Sequence, residues 1–100
     1  MNNREIIYNE AVSPLMSEQE NIDFRRWQLY IYRTMYAFVQ QGFTYENLAA
    51  KLRAFTNMVY VKSNGYYVCT MNETADGITI EFYTPRHSIS RAHYEIRYDG

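Results

Sequence analysis

Between Thr84 and His93 the chain reads TPRHSISRAH, with two Arg, two His and two Ser in ten residues. The guanidinium forks of Arg86 and Arg91 have the geometry that grips a phosphate or carboxylate bidentately. Hydroxyls such as that of Ser88, together with loop amides, add further donors. His87 and His93 change charge near neutral pH, so the same stretch holds a candidate acid and base. The competing reading is a solvated loop whose arginines answer acids elsewhere in the chain. Tyr60, Tyr67 and Tyr83, close in sequence to Arg and Lys, are rings on which a nucleobase could stack. The candidate partner- or phosphate-binding set is therefore Arg86, His87, Ser88, Arg91, His93, Tyr60, Tyr67 and Tyr83.

Catalysis needs more than this set provides. A paired-histidine phosphodiesterase repeats a His-x-Ser/Thr motif, whereas here His87 is followed directly by Ser88 and there is no second copy. A serine nucleophile of the Gly-x-Ser-x-Gly kind would need its strained elbow. A Gly-rich phosphate loop is absent from a chain with only four Gly. Two His beside two Arg make a poor cation site, so no metal is expected. No catalytic residue and no cofactor is assigned, and the chain is read as a non-enzyme.

These residues must be positioned by helices and strands whose limits the sequence marks. Ser17 with Glu20 is a capping box, and Gly42 supplies the left-handed stop, so a long central helix is expected over about 17–41. Within it Phe24, Trp27, Ile31, Met35 and Phe38 repeat at three and four residues. Leu29, Tyr32, Tyr36 and Val39 form a second stripe, leaving Arg26, Tyr30, Arg33, Ala37 and Gln40 for the wet side. Thr44 caps a second helix over about 45–56, with Phe43 stapled to Leu48. From Asn57 the period changes. Met58–Lys62 and Tyr66–Met71, joined by Asn64-Gly65, read as a hairpin with a type I′ turn, Val61 opposite Val68. Ile78, Ile80 and Phe82 alternate with polar residues in a third strand, and Ala92, Tyr94, Ile96 and Tyr98 do so in a fourth. Residues 3–12 suit either a short helix or an edge strand. The expected fold is α+β: two helices, then a four-stranded antiparallel meander, with the helices packed on one sheet face.

Composition limits the classes of function. One hundred residues form a single domain over 1–100, able to bury roughly 65% of its unfolded surface without staples. The lone Cys69 has no internal disulfide partner, and the N-terminal stretch lacks the apolar core of a signal peptide. A cytoplasmic location is expected, with no membrane span. The net charge of −1 conceals segregation, since residues 25–62 hold six bases against Glu46 alone. That overall balance argues against strong non-specific nucleic-acid binding. A helix-turn-helix over 41–63 would need its recognition helix where Met58-Val59-Tyr60-Val61 favours a strand.

Tyr occurs 11 times, and the 8 Arg outnumber Lys fourfold. Both types are enriched at protein-binding hot spots. The expectation is a protein-interaction module, in the style of a phage or bacterial accessory protein, that inhibits a partner by occlusion. The surplus apolar surface of the long helix also suits a homodimer. The alternative is a nucleotide or nucleic-acid phosphate held by the 84–93 loop with a stacked Tyr.

Overall fold

The computed structural model describes residues 4–98. In chain order the elements are β1 (Arg4–Asn9), α1 (Glu18–Gln40), α2 (Tyr45–Lys62), β2 (Val68–Thr74), β3 (Gly77–Tyr83), a single 3₁₀ turn at Pro85–His87, and β4 (Ala92–Tyr98). The fold is α+β, with both helices on one face of a four-stranded antiparallel sheet ordered β1-β4-β3-β2. Strands β2, β3 and β4 form a meander after the helices. The fourth strand is the N-terminal β1, which pairs antiparallel with β4 so that Ile6 faces Ile96 and Tyr8 faces Tyr94.

That membership corrects the expected first hairpin. Met58–Lys62 does not form a strand but continues α2 to Lys62. The physical reason is a buried stripe: Leu48, Leu52, Phe55 and Val59 recur at helical spacing, and Val59 is fully buried in the core. Burying one valine on an existing face outweighs the modest β preference of a short Val/Tyr run. Asn64 and Gly65 do take positive φ, at 53° and 77°, as a type I′ turn would require. They use it as a helix stop. Gly65 N–H donates to Tyr60 O at 2.8 Å and Asn64 N–H to Val61 O at 3.1 Å, which is the Schellman pattern. Tyr66 and Tyr67 lie in the connection, and β2 starts only at Val68, opposite Tyr83 rather than Val61.

The start of α1 carries the expected capping box, with Ser17 Oγ taking the Glu20 amide and the Glu20 carboxylate taking the Ser17 amide. Alternation places Ile78, Ile80 and Phe82 of β3 and Ala92, Tyr94 and Ile96 of β4 on the helix-covered face. Phe24, Ile31 and Met35 of α1 meet them, Phe24 lying 5.4 Å from Phe82, ring centre to ring centre. The other face carries His93, Glu95, Arg97, Thr79 and Glu81. It is mostly polar, with Ile7, Val68 and Tyr83 also on it, and two arginines there are paired: Arg97 with Glu95 and Arg91 with Glu81. Gly77 is required where β3 starts beside β4, because a Cβ there would stand 1.9 Å from Ile96 O.

The strand directions gather particular segments at each end. Where β1 ends, β3 also ends, β2 and β4 begin, α1 starts and α2 stops. The turns at 41–44 and 74–77 share the opposite end, where the Tyr45 hydroxyl reaches Thr74 O and Gly77 O. No helix among the described residues is long and apolar enough to cross a membrane.

Candidate interaction surface

The loop between β1 and α1 is fixed by two amide side chains of α1. Gln28, fully buried, accepts the Ala11 N–H at 3.0 Å and donates to Ala11 O at 2.8 Å. Tyr8 OH donates to the same Gln28 Oε1, and Tyr94 OH donates to Gln28 O at 2.7 Å. Asn21 treats Ser13 likewise, accepting its N–H at 3.0 Å and donating to its carbonyl at 2.9 Å. A loop pinned this way holds Val12 and Leu15 in solvent, 68% and 70% exposed. Tyr60, Val61 and Tyr66 at the end of α2, and Ile89 between β3 and β4, are exposed at the same end.

At this end Glu20 joins α1 to the connection after α2. One carboxylate oxygen takes the Ser17 N–H at 3.0 Å, and the other takes the Tyr66 hydroxyl at 2.9 Å. The Ser17 backbone, then Tyr66, then the Ser17 hydroxyl hold this carboxyl below its ordinary pKa, with His87 adding a smaller push. The bond to Glu20 in turn raises the Tyr66 phenol. Tyr67 is buried against Trp27 (5.4 Å) and Phe82 (5.1 Å), and burial lifts its phenol to about 12.

Between α1 and this connection lies a hollow of about 490 Å³ lined by Glu20, Asp23, Arg26, Trp27, Tyr66 and Tyr67. A shallower one of about 240 Å³, lined by Arg26, Trp27 and Tyr30, continues it along α1. Tyr30 stands edge-on to Trp27 at 5.8 Å and also touches Phe55 of α2. On the other side of Tyr66, a third hollow of about 400 Å³ runs between the 63–66 turn and Pro85-Arg86. The first two share Arg26 and Trp27, and the first and third share Tyr66, so the three adjoin along one groove whose aromatic rings are Trp27, Tyr30, Tyr66 and Tyr67. A separate hollow of about 540 Å³ at the far end of the sheet has no aromatic lining, and its Glu95 and Arg97 pair with each other.

The residues singled out from the sequence fall in different places. Arg86 is exposed and lines the hollow beside Tyr66. Arg91 lies over the Tyr83 ring at 4.0 Å on the open sheet face, its Nε donating to Ser88 O and its Nη1 to Glu81. The two guanidinium groups therefore do not form the expected clamp, and Arg91 is already engaged. His93 sits on the open face opposite Glu81 of β3 and Asn9 of β1. His87, half-buried, has its Nδ1 enclosed without a hydrogen-bond partner among the described residues. Ser88 is exposed. Tyr60 is on α2, Tyr67 in the core and Tyr83 on the open face, so these three rings do not form one stacking platform.

Trp27, Tyr30, Tyr66 and Arg26 are the groove residues that were missed. Trp27 reads as core and Tyr30 and Arg26 as wet surface, although Asp23, Arg26, Trp27 and Tyr30 follow each other at helical spacing. That stripe, on the border of the buried face, was the available signal. Among the described residues no three His, Cys, Asp or Glu side chains come together as a metal-ligand set. No protein-family model matches the chain, and neither curated proteins nor solved structures show a significant similarity to it.

Proposed function

We propose that this chain is a non-enzymatic protein-interaction module that meets its partner through the groove along α1. The observation that carries this reading is the groove's make-up. Trp27, Tyr30 and Tyr66 with Arg26 are the residue types that dominate binding energy at protein interfaces, set around desolvatable hollows. Arg26, Trp27 and Tyr30 sit on a helix held by a capping box and by Gln28 and Asn21, and Tyr66 is tied to that helix by its bond to Glu20, so little order is lost on binding. The exposed Val12, Leu15 and Ile89 at the same end extend the apolar surface.

In this reading the module works in the cytoplasm as an inhibitor, of phage or bacterial accessory type, that covers a site on another protein. A homodimer through the same groove is the variant in which the partner is a second copy. The phosphate-binding alternative has less support, because Arg86 and Arg91 lie apart and the 63–66 turn amides are all engaged internally. Native mass spectrometry of the protein recovered from its host, followed by affinity measurement on variants, tests the proposal. Tyr30→Ala and Arg26→Ala are expected to retain the fold and to weaken the partner complex by about tenfold or more each. Unchanged affinity in both variants contradicts it. Retention of a nucleotide released only on denaturation, with binding that collapses on adding salt, favours the phosphate reading.

A further inference from the structure

The hollow of about 490 Å³ between α1 and the connection after α2 has a more specific chemistry than a general contact surface. Three aromatic rings wall it at steep angles: Tyr66 stands at 86° to Tyr67 with centres 4.9 Å apart, and Trp27 at 45° to Tyr67. Tyr67 is packed beneath the other two and almost fully buried, so the ring surface open to a ligand belongs to Trp27 and Tyr66, and an aromatic face attracts a cation through its quadrupole. Two carboxylates, Glu20 and Asp23, stand at the wall with them. Their field is already felt, since both push the Tyr66 and Tyr67 phenols towards the neutral form. The opposing charges are Arg26, whose mostly exposed side chain reaches Asp23 only at 3.9 Å, and the exposed Arg86, which lines the adjoining hollow on the other side of Tyr66, so both lie at the rim.

The carboxylates offer charge more than free lone pairs. Each oxygen of Glu20 already accepts one hydrogen bond, from Ser17 N–H and from Tyr66 OH. Asp23 Oδ1 accepts from Gln19 Nε2 at 3.2 Å. A primary ammonium needs three directional acceptors, whereas an N-methylated ammonium needs only a negative field and ring faces. We propose that the hollow bounded by Trp27, Tyr66, Tyr67, Glu20 and Asp23 receives an N-methylated ammonium group carried on a side chain of the protein partner. The inference rests on the protein-binding reading and names the partner group that the groove selects.

The chain has one Trp, so the emission of Trp27 reports directly on this hollow. Titration with tetramethylammonium chloride, at ionic strength held constant with sodium chloride, is expected to change that emission saturably. The neutral isostere 3,3-dimethylbutan-1-ol is expected to produce no saturable change. Tyr66→Leu is expected to weaken the response about tenfold with the fold retained, its lost bond to Glu20 showing as a small drop in melting temperature. Asp23→Asn is expected to weaken it likewise. A short peptide bearing Nε-trimethyllysine is expected to bind more tightly than choline, which carries the same head group without a chain. No saturable change with tetramethylammonium, or an equal response to the alcohol, overturns the proposal. Tighter binding of choline than of the peptide overturns the assignment to a protein side chain. Should the cation response be absent while Tyr30→Ala still disrupts the partner complex, the cage fails and the protein-binding reading survives. Should the cation response be present while both groove variants leave the complex intact, the fault lies with the protein-binding reading.

Discussion

Gln28 holds a position that no pattern in the sequence marks. A glutamine in the middle of an amphipathic helix reads as surface, yet its side chain is fully enclosed and satisfies both backbone groups of Ala11. Gln28→Leu keeps the volume and strands the Ala11 N–H and carbonyl. The expected loss is about 2–6 kcal/mol of unfolding free energy, read from urea denaturation, since each of the two orphaned backbone groups costs roughly 1–3 kcal/mol. A loss no larger than that of an exposed substitution would contradict the role assigned to it. Cys69 is a second residue-scale case. Burial raises its thiol from 9.0 to about 12, so it stays protonated and slow towards alkylating reagents at mildly alkaline pH. Fast labelling of the native protein would mean the strand opens. Tyr67, raised from 10.0 to about 12, stays neutral in the fold where the unfolded chain would ionise. Its contribution is complete below pH 10.0 and is lost as pH rises from there towards about 12. Alkaline unfolding is therefore expected to coincide with late phenolate absorbance.

At the scale of elements, local signals were legible where they acted alone and misleading where tertiary packing chose between two uses. The capping box at Ser17 and Glu20 and the alternation in β3 and β4 define α1 and half the sheet directly. Asn64-Gly65 required positive φ in both readings, hairpin turn and helix stop, so residue type alone did not separate them. What decided it was the place of Val59 in the buried stripe with Leu48, Leu52 and Phe55, a helical spacing that runs on past Thr56 and competes with the β preference of the Val/Tyr run. A pair of substitutions separates the two structures. On a strand Val59 and Val61 would share one face and respond alike. On α2 Val59 is buried and Val61 is 62% exposed. Val59→Ala is expected to cost about 1–3 kcal/mol, while Val61→Ala stays within about 0.5 kcal/mol, both by chemical denaturation. Equal costs would return the segment to the sheet.

For the whole molecule, the candidate site was only partly legible, because a site is where elements meet and the misread segment sets one of its walls. The composition, rich in Tyr and Arg, pointed to an interaction surface, and the candidate residues for it were Tyr60, Tyr67, Tyr83 and the polar residues of the 84–93 loop; Tyr83 and Arg91 of that set lie on the open sheet face. In the fold that face is mostly polar, with Arg91 and Arg97 paired, and the loop splits its arginines between two sides. Moving 58–62 from strand to helix carries Tyr66 and Tyr67 beside Trp27, and the aromatic groove follows. The most direct test of this account compares two surfaces in one partner-binding measurement. Tyr30→Ala with Tyr66→Ala removes groove rings, and Tyr83→Ala with Arg91→Ala removes the open-face stack. The account predicts that the groove pair loses affinity by about a hundredfold, near the product of two hot-spot losses, while the open-face pair binds as the wild type does. Loss confined to the open-face pair would contradict it and put the contact surface back on the sheet.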